Sequence, residues 1–239
     1  MNVTKTVINV GAKRLRLTIH ATSNNDSENL YLGSAETYYL YAQIIHPSSP
    51  FYAAMGHSDA ILVKIRYNTG DTTLFVALLV TIIKERYPLI TGLQFTCGNN
   101  ISVDLSEIYY ITTGKTWYES RFGAHLVDED DVAKFRSSTA QFQDRKRLIP
   151  WTAMKQEMCL PLSFPVPEKE LQQMYESAVT WQDFFGPLLS RIGMDEFCLV
   201  VAPWLHRFLW MMLDFNFAGA IYRIPIDSAK IPTIIYTTE

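Results

Sequence analysis

The sequence predicts a mixed α/β (α+β) fold, a sheet flanked by helices. Three observations carry that expectation. Short runs of β-branched or alternating apolar residues recur at 7–10, 15–19, 60–67 and 93–97. A sixteen-residue stretch, 72–87, is apolar on nearly every face and sits between two of those runs. Later segments carry helix punctuation, such as Thr180-Trp181-Gln182-Asp183 before an apolar run and Pro203 just inside another.

Taken in order, 7–10 and 15–19 read as two strands around Gly11-Ala12, and 23–27 as a loop. Residues 37–45, rich in Tyr and Ile, read as a strand broken by Pro47-Ser48-Ser49-Pro50. Residues 60–67 are a strand and 68–71 a turn. Periodicity cannot separate a buried helix from a buried strand over 72–87. Length, a cap from Asp71 and the Lys84-Glu85-Arg86-Tyr87-Pro88 ending favour a helix. Residues 93–97 form a short strand, 105–112 and 116–122 helices stopped at Gly123, and 125–127 the start of a strand. Residues 150–167, with four prolines, read as a linker or an extended cover. Residues 168–179 are helical. A capped helix starting at Trp181 must kink at Gly186-Pro187. Residues 196–201 read as a strand, 203–213 as a helix, and 220–226 and 233–237 as strands.

Composition bounds function. The 239 residues are 48% apolar, 13% aromatic and 19% charged, with a net charge of −3. The charged share is below the usual ~25%, so part of the surface is expected to be covered by a protein partner or by a homo-oligomer. A general electrostatic nucleic-acid binder is disfavoured. Basic charge is nonetheless segregated: 17–63 holds no Lys or Arg, whereas Lys134, Arg136, Arg145, Lys146 and Arg147 fall within fourteen residues and read as a solvated helix face, with an anionic partner such as nucleic acid as the lower-ranked alternative. Cys97, Cys159 and Cys198 form no CxxC or Cys/His cluster, so a zinc site or disulfide framework is not supported and free thiols in a reducing compartment are expected. The N-terminus lacks a signal-type apolar core, and 72–83 is too short for the ~20 residues that span a bilayer. The expectation is a cytoplasmic protein with no membrane span.

Several motifs fall to simpler readings. Thr113-Gly114-Lys115-Thr116 resembles the end of a phosphate loop, but that loop needs Gly where Tyr109 stands, so the motif reads as a helix-initiating turn. His57-Ser58-Asp59 is a polar loop, and no GxSxG elbow occurs. His20, His46 and His125 are scattered and suggest no metal set, and His206 reads as a hydrogen-bonded structural histidine. Trp181, Trp204, Trp210, Phe184 and Phe208 read as core.

One constellation says more. A strand at 61–67, a turn at 68–71, a buried helix, a strand at 93–97, then Asn99-Asn100 and Thr116-Trp117-Tyr118-Glu119-Ser120-Arg121-Phe122-Gly123-Ala124 follow in order. That order resembles the central part of a GNAT-type N-acetyltransferase. The resemblance implies a mixed, mostly antiparallel sheet in which the first of these strands splays from the second. It implies acetyl-coenzyme A as cofactor, held at Asn68, Thr69, Gly70, Thr72, Thr73 and Asn99. It makes Tyr118 the acid that protonates the leaving thiolate. A base for the acceptor amine is not identified; Glu107 and Asp59 are candidates. The segment 66–71 departs from the family's Gln/Arg-x-x-Gly-x-Gly/Ala pattern, with one glycine at a different offset and Asp71 where a pyrophosphate would sit. Residues 114–124, Thr180-Trp181-x-x-Phe184-Phe185 and Trp204-Leu205-x-x-Phe208 are also similar to uncharacterised proteins of large DNA viruses, a likeness spanning about 60–225 that would place the chain in host cytoplasm. The chain then divides into a GNAT-like portion, 1–149, and a portion packed on it, 150–239, readable as a second, degenerate half. The competing expectation is a non-catalytic viral structural or interaction protein that keeps the scaffold.

Overall fold

Alternating strands joined by short turns pair with their sequence neighbours first, and the computed structural model follows that rule over most of its sheet. It describes residues 2–10, 13–33, 38–46, 49–50, 59–65, 72–96, 105–158, 164–213, 215–217, 219–232 and 234–238. The chain divides into two compact units. A sheet unit takes Met1–Thr96, Arg121–His125 and Ile221–Glu239; a helical unit takes Cys97–Ser120 and Leu126–Ala220.

In the sheet unit, β1 (Asn2–Val10), β2 (Lys13–Ser23), β3 (Ser27–Gly33), β4 (Tyr38–Ile45) and β5 (Asp59–Ile65) form a run of antiparallel neighbours. The strand at 27–33 lies where the sequence reading placed no element. Its turn is tighter than the loop expected there: the Asn24 carboxamide oxygen accepts from the amides of Asp26 at 2.9 Å and Ser27 at 2.8 Å, an Asx turn that starts β3 at once. Helix α1 (Thr72–Arg86) leads to β6 (Gly92–Thr96), which is parallel to β5. The C-terminal strands β8 (Ile221–Pro225) and β9 (Ile235–Thr238) rejoin the sheet beside β6 and β1. With β7 (His125–Leu126), the described strands form an open sheet in the order β7-β8-β6-β5-β4-β3-β2-β1-β9. It is mostly antiparallel.

One face of the sheet is a row of buried aliphatics, Ile19, Leu30, Leu32, Leu40, Ala42 and Ile44, and α1 lies against β4. Phe75 through Val80, with Ile82 and Ile83, are buried, which explains why the helix is apolar all round. It ends where the sequence predicts, with Lys84 and Arg86 beside its free carbonyls.

The helical unit holds α2 (Leu105–Thr113), most of α3 (Trp117–Phe122), α4 (Glu129–Arg145), a 3₁₀ turn (Lys146–Leu148), α5 (Trp151–Met158), α6 (Glu168–Ser177), α7 (Trp181–Ile192), α8 (Met194–Val200) and α9 (Ala202–Met212). Two elements correct the sequence reading. The expected strand at 196–201 is α8: Phe197 and Val201, four residues apart, are buried while Leu199 is exposed, a helical period. Within the expected linker at 150–167, Trp151, Met154 and Met158 fall on one face and fold as α5. The capping box at α7 forms as read, with the Asp183 amide donating to Thr180 Oγ1 at 3.2 Å and the Thr180 amide to Asp183 Oδ2 at 2.8 Å. Those bonds, chiefly from Thr180, hold the Asp183 carboxyl below its ordinary value. The helix runs on through Pro187 as one element.

Trp181, Phe142, Phe184, Phe185 and Phe208 fill the core of this unit, as expected. Trp210 does not join them; it is 67% exposed. Lys146 also departs from the solvated face expected of the basic run. It is buried, and its ammonium donates to the carbonyls of Tyr175 and Ala178, both at 2.5 Å, at the C-terminal end of α6. A cation at a helix C-terminus complements the negative end of the dipole and satisfies orphan carbonyls. Burial holds its pKa down.

Burial raises the phenols of Tyr110, Tyr175 and Tyr236 to about 12, the last with help from its bond to Glu85. An unfolded tyrosine ionises near 10. Between pH ~10 and ~12 the folded chain therefore holds more protons than the unfolded chain, and stability falls as pH rises. In a 295 nm titration these three phenolates are expected to appear only near pH 12 or together with unfolding. Ionisation of every tyrosine near pH 10 in a chain that is still folded would contradict this.

Among the described residues, no helix is long and apolar enough to cross a membrane.

Candidate functional site

A parallel pair needs a crossover, and here α1 supplies it between β5 and β6. The ladder of that pair has three rungs: Asp59↔Gly92, Ala60↔Leu93 and Ile61↔Gln94. Both strands continue past it, β5 to Ile65 and β6 to Thr96. Their outer edges stay paired. Leu40↔Ile65 closes the β4 side, and Thr96↔Ile221 closes the β8 side. The described ladder therefore opens in the interior of the sheet, between residues 62–65 and 95–96.

A bulge accompanies the opening. Against β4, Lys64 faces Tyr41 and Leu62 faces Ala42, so Val63 is an extra residue on β5. A bulge bends its strand and increases local twist. Seven residues after Ile65, α1 begins at Thr72, so the helix N-terminus follows the strand in the chain. Thr72 is buried and Thr73 half-buried there. The first amides of a helix have no intrahelical acceptor and carry partial positive charge. Asn68, Thr69, Gly70, Asp71 and Asn99 lie outside the described residues.

Tyr118 is the second residue of α3 and is 5% exposed, its ring edge-on to Trp117 at 5.1 Å. The turn before it is built by the residues that resemble a phosphate loop. Gly114 adopts φ +76°, which favours glycine, and its amide donates to the Tyr110 carbonyl at 2.8 Å, closing α2. Thr116 and Glu119 then form a reciprocal capping box. The Thr116 amide donates to Glu119 Oε2 at 2.7 Å and the Glu119 amide to Thr116 Oγ1 at 3.2 Å. Both amides are occupied by protein acceptors, so the motif is a helix start and not a phosphate cradle, as the sequence reading held. Thr116→Ala is expected to lower stability by ~1 kcal/mol, measured by denaturant unfolding. A change below a few tenths would show that the box contributes nothing.

Glu107, one candidate base, is buried on α2 and its Oε1 lies 2.6 Å from His206 Nδ1 on α9. That pairing gives His206 the hydrogen bond expected of it and leaves its ring exposed, with one nitrogen held by the carboxylate. The partnership joins residues 99 apart in sequence, so spacing could not reveal it. Asp59, the other candidate, opens β5. Cys198 is a free, half-buried thiol whose pKa is raised by burial; Cys97 and Cys159 lie outside the described residues. Among the described residues no group of three or more His, Cys, Asp or Glu could hold a metal ion. Comparison with family models, with curated proteins and with solved structures returns no match to this chain.

Proposed function

We propose that the protein is a GNAT-like N-acyltransferase that takes an acetyl group from acetyl-coenzyme A to an amine. The observation that carries the reading is the β5–β6 pair, whose described ladder runs parallel for three rungs and then ends, with a bulge on β5 and α1 next in the chain. Ligands of open α/β sheets bind outside the carboxyl ends of strands. A strand edge recognises ligands through backbone donors and acceptors, and the cofactor's pantetheine arm carries two amides of matching chemistry. The first amides of α1 suit its pyrophosphate. Thr72 and Thr73 open that helix, and the resemblance adds Asn68, Thr69, Gly70 and Asn99. The resemblance assigns Tyr118 as the acid for the departing thiolate.

Calorimetry with acetyl-coenzyme A tests the reading. One-to-one binding is expected; no heat at millimolar cofactor would remove it. Thr73→Asp sharpens the test. A carboxylate in the first turn of a helix is compatible with folding, but it repels a pyrophosphate by ~1 kcal/mol or more. Affinity is expected to fall about tenfold with the melting temperature unlowered, and an unchanged affinity would take the phosphates away from this helix.

A second reading, a non-catalytic interaction protein of viral type, draws on exposed apolar residues of the helical unit: Leu199 at 70%, Trp210 at 67% and Met211 at 45%. It expects no cofactor binding and a homo-oligomer or partner complex in light scattering. A clean monomer that binds acetyl-coenzyme A would exclude it.

A further inference from the structure

Helix α9 buries Ala202, Leu205, Phe208 and Leu209 and turns Trp210 outward. A large indole on the solvent side of an amphipathic helix is left without the burial that would stabilise it. Beside it is a cavity of about 640 Å³ within the helical unit, inside the roughly 300–1,000 Å³ of small-molecule sites. One wall is the first two turns of α4, which contribute Asp131 and Lys134. Three residues apart on a helix, these face the same side. No ion pair between them is found among the described residues. The floor is apolar and rigid. Leu213 and Phe215 are buried, and the Phe215 ring is locked edge-on by Phe135 at 5.1 Å and Phe217 at 5.3 Å. The mouth stays open at Gly219, where a side chain would meet nothing within 4 Å.

The cavity thus offers a carboxylate and an ammonium on one helix face, an indole beside them, and a lining completed by Leu213, Phe215 and Asn216. We propose that it binds a free α-amino acid with a large apolar or aromatic side chain. Asp131 takes the ligand ammonium, Lys134 its carboxylate, and the side chain lies between Trp210 and Phe215. The two ligand charges are one carbon apart, which suits an acceptor and a donor about one helical turn apart on a single wall. A ligand with only one charge leaves the other protein group without its counter-charge, so zwitterions are selected. This proposal stands apart from the acyl-transfer reading and uses none of its residues.

The test is saturation-transfer NMR and calorimetry on the full chain with phenylalanine, N-acetylphenylalanine and phenylalaninamide. Phenylalanine is expected to bind, and each single-charge derivative to bind at least about tenfold more weakly. Asp131→Asn is expected to weaken phenylalanine while leaving N-acetylphenylalanine unchanged. Lys134→Gln should do the same with phenylalaninamide as the unaffected ligand, and Trp210→Ala should abolish binding of all three. These positions are exposed or half-buried, and a thermal melt checks that each variant is folded. No transfer from phenylalanine at about 10 mM, equal affinity for all three compounds, or binding that survives all three substitutions would overturn the proposal.

Discussion

Under the acyl-transfer proposal, Tyr118→Phe is expected to lower acetyl transfer by about 10²–10⁴-fold while leaving acetyl-coenzyme A affinity unchanged. The substitution removes a hydroxyl and keeps the ring, so the edge-on contact with Trp117 at 5.1 Å is preserved. The capping box of Thr116 and Glu119 that sets this turn is made by other residues. The loss should fall on kcat, because protonation of the leaving thiolate is needed only in the transition state, with KM for the cofactor nearly constant. Turnover assays and unfolding curves on the same preparations separate this from a folding defect. Undiminished kcat would take the acid role from Tyr118 even if the cofactor binds. A loss confined to KM would make the tyrosine a binding group.

Trp181→Ala is expected to destabilise the chain by about 3–5 kcal/mol, a large share of the roughly 5–15 kcal/mol that holds a typical domain folded. Trp181 is fully buried, and its ring meets Phe208 at 5.0 Å, Phe142 at 5.6 Å and Phe185 at 6.1 Å. Its indole N–H donates to the Phe142 carbonyl at 2.8 Å. Alanine removes the packing and also leaves that carbonyl without its donor. Trp181→Phe isolates the second effect and should cost less. Trp210→Ala, at a position 67% exposed, should stay within about 0.5 kcal/mol of the parent. Chemical denaturation reads all three, and a Trp181→Ala penalty below about 1 kcal/mol would mean that the core closes over the void.

The contrast between those tryptophans shows where sequence reasoning stops. Trp181 and Trp210 both sit in aromatic-rich helical segments and both read as core. Trp210 faces outward because Leu205, Phe208 and Leu209 already take the buried stripe of α9. The same limit hid Lys146. Its neighbours Arg145 and Arg147 make it look like part of a solvated face, and only the return of α6 brings the Tyr175 and Ala178 carbonyls to its ammonium. Residues 151–158 were obscured by the prolines that flank them, although Trp151, Met154 and Met158 carry a helical spacing. In α8 an apolar run too short to declare a period looked like a strand until burial separated Phe197 and Val201 from Leu199.

The sequence by itself determined what depends on residues a few positions apart: the strands of β1, β2, β4 and β5, the buried helix between β5 and β6, the Thr180 capping box and the helix start after Gly114. Backbone hydrogen bonds, caps and turn geometry act over that range, so they are written in local spacing. Only the tertiary structure decided that β8 lies beside β6, that the β5–β6 ladder ends after Ile61↔Gln94, that His206 meets Glu107, and that Asp131, Lys134 and Trp210 share a cavity. Each of these joins segments brought together by burial of apolar surface. That force is non-directional, and it does not record in either segment which partner it will meet.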